Sequence, residues 1–140
     1  MAPRREAREQ ALSLCYEIDL RDMDAATLLD ELPVPPDEYT ADILLGVSEH
    51  HGELDAMIDE AAEHWSLERM AVVDRNVLRI GAYELAHRPD VPTAVAISEA
   101  VELAQRYSTE ESGRFVNGIL AALARRLRGE VGAQPDGPEA

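Results

Sequence analysis

The sequence predicts an all-α fold, a compact bundle of about seven helices. Apolar residues recur at three- and four-residue steps along most of the 140 residues, and alternating runs of β-branched residues are missing. Hydrophobic residues make up 46% of the chain and aromatic residues only 4%, so the core must be built from Ala, Leu, Val and Ile. This apolar content excludes a disordered acidic chain.

Caps and breakers divide the N-terminal half into four helices. The first is expected over residues 4–20, and Asp24 is the expected N-cap of a short second helix. Residues 33–36 (PVPP) form a connector, because proline cannot occupy a helix interior. Asp37 lies where a third helix begins, and this helix is expected to end near Gly52. A fourth helix follows.

The C-terminal half continues with three longer helices. Ser66 is the expected N-cap of the fifth, which is apolar on more than one face and is therefore the buried centre of the bundle. Ser108 and Glu111 have the spacing of a capping box in front of the seventh. The three helices are expected over residues 67–86, 93–107 and 110–128. Residues 1–128 then form one domain, and residues 129–140 a disordered acidic tail.

The net charge of −15 is distributed unevenly. Of 28 acidic residues, fifteen lie in residues 17–65, together with a single arginine. All 13 basic residues are arginines, and they slightly outnumber the acids in residues 1–16 and 66–128. Taken as an average, the charge argues against a nucleic-acid partner. Taken by segment, the distribution predicts that the acids lie on solvated helix faces. A nucleic-acid partner such as RNA would then be restricted to an arginine-bearing face.

The sequence carries no catalytic or metal-binding signature. Its four histidines form no His-x-x-x-His pair, and Glu84 with His87 gives one Glu-x-x-His motif where a di-iron bundle needs two. We therefore expect surface histidines, no metal, no cofactor and no enzymatic activity. Cys15, the one cysteine, is expected in the core. Neither a membrane span nor a signal peptide is predicted, which favours the cytoplasm.

Three arginines open the first helix. Arg4, Arg5 and Arg8 occupy three of five consecutive positions, with Arg4 and Arg8 on one face. Guanidinium groups hold phosphates and stack on unpaired bases, so this segment favours RNA contact. Glu6 and Glu9 dilute its charge, and a solvated helix start stays the alternative.

Several stretches together resemble the NusB family of transcription antitermination proteins, over roughly residues 3–128. They are residues 4–11 (RREAREQA) with Tyr16, residues 77–85 (VLRIGAYEL), residues 91–104 (VPTAVAISEAVELA) and residues 115–120 (FVNGIL). The resemblance implies two small helical subdomains packed together. It implies an adaptor without catalytic residues that binds single-stranded boxA RNA together with NusE, a small-subunit ribosomal protein. Such adaptors associate with the RNA polymerase elongation complex at ribosomal RNA operons, and they occur as monomers or homodimers.

The resemblance also assigns candidate site residues by position. The expected RNA-binding residues are Arg4, Arg5, Arg8, Arg79, Glu111 and Phe115. The expected NusE-binding residues are Tyr16, Glu68 and Asp74. Because lysine is absent and Glu6 stands where the family commonly has a basic residue, we expect NusE to supply much of the positive charge.

Two other classes of protein are consistent with the sequence. A similar helical module forms the N-terminal RNA-binding domain of certain ribosomal RNA methyltransferases, but an enzyme of that kind needs a further nucleotide-binding domain, which this length does not hold. The second alternative is a structural helical module that self-associates through the arginine-bearing face.

Overall fold

A computed structural model of the chain describes residues 3–63 and 65–129. Within these ranges the secondary structure is helical throughout, which confirms the predicted fold class. The helices are α1 (Arg4–Arg21), α2 (Ala25–Glu31), α3 (Glu38–Glu49), α4 (His51–Ala62), α5 (Val72–His87), α6 (Thr93–Tyr107) and α7 (Glu110–Arg128), with a short 3-10 helix at Leu67–Arg69. Residues 130–140 of the predicted tail lie outside the described residues.

The central helix of the bundle is α5, as its apolar pattern predicts. It packs against α1, α3, α4, α6 and α7. Helices α1, α2 and α3 pack on one another, while α6 and α7 pack on each other and on α5. Residues Leu28, Ile43, Leu44, Leu54, Ile58, Val77, Leu78, Ile80, Leu120 and Leu123 are all buried in the shared core.

Cys15 is buried in this core, as predicted. Burial raises the pKa of its thiol to about 12, so the group stays protonated and unreactive at neutral pH. No described helix combines the length and apolar character needed to cross a lipid bilayer.

Several predicted helix ends are wrong. Ser66 makes no side-chain cap bond, and α5 begins at Val72 because residues 67–69 form a separate 3-10 turn. The Leu67 amide donates to Asp59 Oδ1 of α4 at 2.8 Å, and Leu67 and Met70 are both buried. Tertiary contacts therefore override the local helical pattern. The third helix ends at Glu49 rather than near Gly52.

The predicted capping box of α7 is also wrong by one residue. Thr109 is the N-cap, and its Oγ1 accepts from the Ser112 amide at 3.0 Å. The Ser112 hydroxyl contacts the hydroxyls of both Ser108 and Thr109. Ser112 therefore takes the third helical position, whose amide donates to the N-cap side chain and which the sequence assigned to Glu111. Asp24, in contrast, caps α2 as predicted, accepting from the Thr27 amide at 2.7 Å.

A glycine lets α3 approach α5 closely. A Cβ added at Gly46 would lie 2.2 Å from Cε1 of Tyr83, whereas one added at Gly118, in the middle of α7, would meet nothing within 4 Å.

We expect Gly46→Ala to lower the free energy of unfolding by about 1–3 kcal/mol, because the rigid ring must move. Gly118→Ala should raise it by about 0.5–1 kcal/mol through helix propensity. Urea unfolding of both variants measures this; equal effects would contradict the close approach.

Candidate functional site

A cleft of about 260 Å³ opens at the start of α5 and α7. It is lined by Trp65, Arg69, Met70, Ala71, Asp74, Thr109, Glu111, Ser112 and Phe115, and we call it the Asp74 cleft. Asp74 is 9% exposed, and its Oδ2 accepts from the Ser112 hydroxyl at 2.9 Å. Among the described residues, the buried Oδ1 of Asp74 has no hydrogen-bond partner. A buried acceptor without a donor is costly, so this oxygen is suited to a donor from a bound partner.

Two aromatic rings border the same cleft. Phe115, on α7, is half-buried, and Trp65 is 55% exposed. Their rings meet edge to face with centroids 6.4 Å apart. A partly exposed ring beside an exposed indole provides a surface on which an unpaired base can stack. Sequence reasoning identified Phe115 and missed Trp65, although Trp65 is the only tryptophan in the chain.

A second depression, which we call the Tyr16 groove, borders the first turn of α5 from the side of α1. It has a volume of about 390 Å³ and is lined by Glu9, Leu12, Ser13, Tyr16, Val73 and Tyr107. Tyr16 and Tyr107 are 39% and 48% exposed, so the groove presents two aromatic rings to solvent. Rings of this kind, apolar with a polar tip, are common at protein interfaces. Glu68 is exposed on the neighbouring 3-10 turn.

Arg4 and Arg5 are exposed, and each is paired with an acid. Arg4 contacts Asp90 at 3.1 Å, and its guanidinium lies 4.3 Å from the centre of the Tyr39 ring. Arg5 donates to both carboxylate oxygens of Glu99, at 3.1 and 2.7 Å. These hydrogen bonds lower the pKa of Glu99. The side chains of Arg4 and Asp90 are both about half exposed, so a phosphate can replace this carboxylate at little energetic cost, whereas the side chain of Glu99 is only 16% exposed.

Arg8 lies on the same face of α1 as Arg4, as predicted, and both guanidinium groups lie over the Tyr39 ring. The surroundings of Arg8, however, are different. It is 4% exposed, and its Nε donates to Oε2 of Glu84 at 2.8 Å. Glu84 is 1% exposed and also accepts a hydrogen bond from the Tyr39 hydroxyl. Burial, with the hydrogen bond to Glu84, raises the pKa of Tyr39. Arg8 therefore joins α1 to α3 and α5 from inside the bundle and presents almost no surface to a partner.

Arg79 lies apart from the other residues assigned to RNA. It is 8% exposed, donates to both oxygens of Asp55 at 2.9 and 3.1 Å, and donates to Asp19 at 3.1 Å. Arg75 and Asn76 donate to Asp19 as well, at 2.8 to 2.9 Å. The cluster links α1, α4 and α5. Arg79 therefore acts as an internal ion-pair partner in this structure, and an RNA contact by this residue stays a prediction.

The pKa of Asp19 reports the strength of this cluster. Burial raises it, but hydrogen bonds from Arg75 and Asn76 and the charges of Arg75 and Arg79 outweigh burial and lower the pKa to about 2, against 3.8 ordinarily. A lowered pKa in the folded state stabilises the protein above pH 4, and the contribution is lost as the pH falls toward 2.

We expect Asp19→Asn to lower the free energy of unfolding by about 2 kcal/mol at pH 7. The difference from the native chain should shrink between pH 4 and pH 2, since the native carboxyl becomes protonated there. Denaturant unfolding at pH 7, 4 and 2 measures it, with Asp30→Asn, which changes an exposed carboxyl of α2, as the control. A pH-independent difference would show that charge pairing at Asp19 is not the cause.

The structure thus brings Asp74, Glu111 and Phe115 together, with Tyr16 and Glu68 near the same helix start. It sets Arg4, Arg5 and Arg8 at the beginning of α1, against α3, α5 and α6, and encloses Arg79 elsewhere. Sequence reasoning missed Ser112, Trp65 and the internal partners Asp19, Asp55 and Glu84. The acids and Ser112 are unremarkable in sequence, because their partners lie on other helices.

Comparisons with known proteins agree with this architecture. Residues 5–125 match the sequence profile of the NusB family. The chain is 48% identical to the transcription antitermination protein NusB of Saccharopolyspora erythraea, with 96% of this chain and 98% of that protein aligned. It is 46% identical to the protein of the same name from Sorangium cellulosum, with 91% and 95% aligned.

Solved structures show the same fold. NusB of T. maritima superimposes with a TM-score of 0.79 at 39% identity, covering 89% of this chain and 92% of that one. A crystal structure of antitermination factors NusB and NusE in complex with double-stranded RNA contains a chain that superimposes with a TM-score of 0.77 at 28% identity, covering 88% and 96%. The matched relatives are antitermination proteins rather than enzymes, which confirms both the predicted family and the predicted lack of enzymatic activity. The chain belongs to the NusB family of transcription antitermination proteins.

Proposed function

We propose that this protein binds single-stranded boxA RNA together with NusE, and that the complex acts on the RNA polymerase elongation complex at ribosomal RNA operons, in the cytoplasm. The observation that carries the proposal is the Asp74 cleft, where an unsatisfied buried acceptor lies beside two partly exposed aromatic rings. The solved complex of NusB and NusE with double-stranded RNA supports the choice of RNA and NusE as ligands.

The Asp74 cleft contacts both partners, and the Tyr16 groove contacts NusE. Phe115 and Trp65 stack unpaired bases at the start of α7. Asp74 accepts a hydrogen bond from an N–H or O–H group of NusE, and Tyr16 and Glu68 extend that contact along α1 and the 3-10 turn. Both surfaces border the first turn of α5, so NusE bound in the groove adds its own charge next to the RNA.

The N-terminal arginines supply the phosphate contacts. Arg5 exchanges Glu99 for a phosphate, which also accepts two parallel N–H donors, and Arg4 exchanges Asp90. The displaced carboxylates then face the RNA, and the chain as a whole carries a charge of −15. RNA binding by the protein alone is therefore weak, and binding together with NusE is tighter.

Titration of labelled boxA RNA with and without NusE, at two or more salt concentrations, tests the proposal. Affinity should rise on addition of NusE, and Arg5→Gln should reduce the slope of log K against log salt by about 0.7, the value of one phosphate contact on a single strand. Arg126→Gln is the matched control, because Arg126 is an exposed arginine of α7 paired with Glu60.

Equal affinity with and without NusE would overturn the cooperative part of the proposal. An absence of boxA binding in the presence of NusE would overturn the function itself. A stable dimer that neither dissociates nor binds RNA in sedimentation experiments would favour the self-associating helical module instead.

A further inference from the structure

Three metal-ligating side chains from two separate parts of the chain meet at the end of the central helix. His50 stands between α3 and α4, Glu53 lies in the first turn of α4, and His87 is the last residue of α5. Oε1 of Glu53 lies 3.3 Å from Nδ1 of His50 and 3.2 Å from Nε2 of His87. All three ligand atoms lie within 4.8 Å of one another.

We propose that His50, Glu53 and His87 form a binding site for a divalent transition-metal ion, with zinc as the ion used to test it. Zinc binds His nitrogen and carboxylate oxygen at 2.0–2.2 Å, so neighbouring ligand atoms in a tetrahedral site lie about 3.3 Å apart. The two contacts to Glu53 already have that length. Imidazole ligands select zinc, copper or nickel over calcium and magnesium, which prefer oxygen.

The two histidine rings are stacked on each other and on Tyr83, and all three side chains of the cluster are partly exposed. The two imidazole rings are stacked with centroids 3.8 Å apart, and the Tyr83 ring lies 5.7 Å from His87 and 6.5 Å from His50. The side chains of His50 and His87 are 30% and 27% exposed, and that of Glu53 is 50% exposed. Coordination requires each ring to turn so that its nitrogen lone pair points at the ion.

Charge and topology support the same conclusion. Glu53 supplies a negative charge within the cluster, and the guanidinium of Arg88, which follows His87 in the chain, is paired with Asp42 and Asp90. A bound ion would join the junction of α3 and α4 to the C-terminal end of α5. The sequence predicts no metal site, because Glu84 and His87 form a single Glu-x-x-His motif. In the structure Glu84 is buried against Arg8, and His87 instead contacts Glu53, 34 residues away.

Zinc titration of the protein without a histidine tag, followed by calorimetry and by thermal unfolding, tests the site. We expect one ion per chain and a rise in Tm of about 5–10 °C with zinc at roughly 100 times its Kd. Visible absorption of the cobalt-substituted protein reports the tetrahedral geometry. His50→Gln, His87→Gln and Glu53→Gln should each weaken binding at least about tenfold.

His51→Gln is the matched control, because His51 is adjacent, exposed and paired with Asp55 rather than with the cluster. It should bind zinc as tightly as the native chain, and circular dichroism should show that all four variants are folded. Failure of the native chain to bind zinc below millimolar concentration would overturn the proposal. So would an equal loss of binding in His51→Gln, or unchanged binding in His50→Gln and His87→Gln.

Discussion

Replacing Arg8 with methionine should lower the free energy of unfolding by about 3–5 kcal/mol. Methionine keeps most of the buried volume but removes the guanidinium that faces Glu84, 2.8 Å away. Glu84 is 1% exposed, so its charge would remain buried without its arginine, and breaking a buried ion pair on one side carries a penalty of this size. Denaturant unfolding at pH 7 measures the change.

Two further variants separate this charge effect from lost packing. Arg5→Met removes an arginine that lies three positions away and is 54% exposed, and it should change stability by less than about 1 kcal/mol. Adding Glu84→Gln to Arg8→Met should restore part of the loss, since the buried carboxylate is then neutral, and the double-mutant cycle gives the coupling energy. Stability of Arg8→Met equal to that of Arg5→Met would contradict the structural role of Arg8.

The helices could be predicted from the sequence, whereas the burial of Arg8 could not. Helical periodicity predicted α1, α6 and α7 to within a residue or so, because their apolar stripes and breakers are local signals. The burial of Arg8 depends on Glu84, 76 residues away, and that of Arg79 on Asp19 and Asp55. An arginine reads as a surface residue until its partner's position in space is known.

The Asp74 cleft was predictable only in part, for the same reason. Resemblance to the family singled out Asp74, Glu111 and Phe115 one by one, and nothing local joined them into one cleft. Their proximity requires the first turn of α5 to pack against the first turn of α7, where Ser112 donates a hydrogen bond to Asp74. The Ser112 amide is also held, by the Oγ1 of Thr109, which is the observed N-cap of α7.

Replacing Phe115 with leucine should weaken boxA binding in the presence of NusE by about 5- to 150-fold, which corresponds to 1–3 kcal/mol for one stacked base. Leucine keeps apolar contact with the core, against which the Phe115 ring packs. It has no aromatic face, so it removes stacking while changing stability by less than about 1.5 kcal/mol. Fluorescence anisotropy of labelled RNA, with NusE saturating, measures the affinity.

Phe115→Tyr provides the matched control, because it retains the ring and the edge-to-face contact with Trp65. It should bind boxA RNA nearly as tightly as the native chain. If Phe115→Leu also binds normally, Phe115 is only a core residue of α7 and the RNA lies elsewhere. If both variants lose binding and stability together, the loss reflects altered packing of α7, and the stacking role is wrong. Loss of RNA affinity in Phe115→Leu but not in Phe115→Tyr identifies the aromatic face as the feature that RNA recognises, because only the leucine variant lacks the ring.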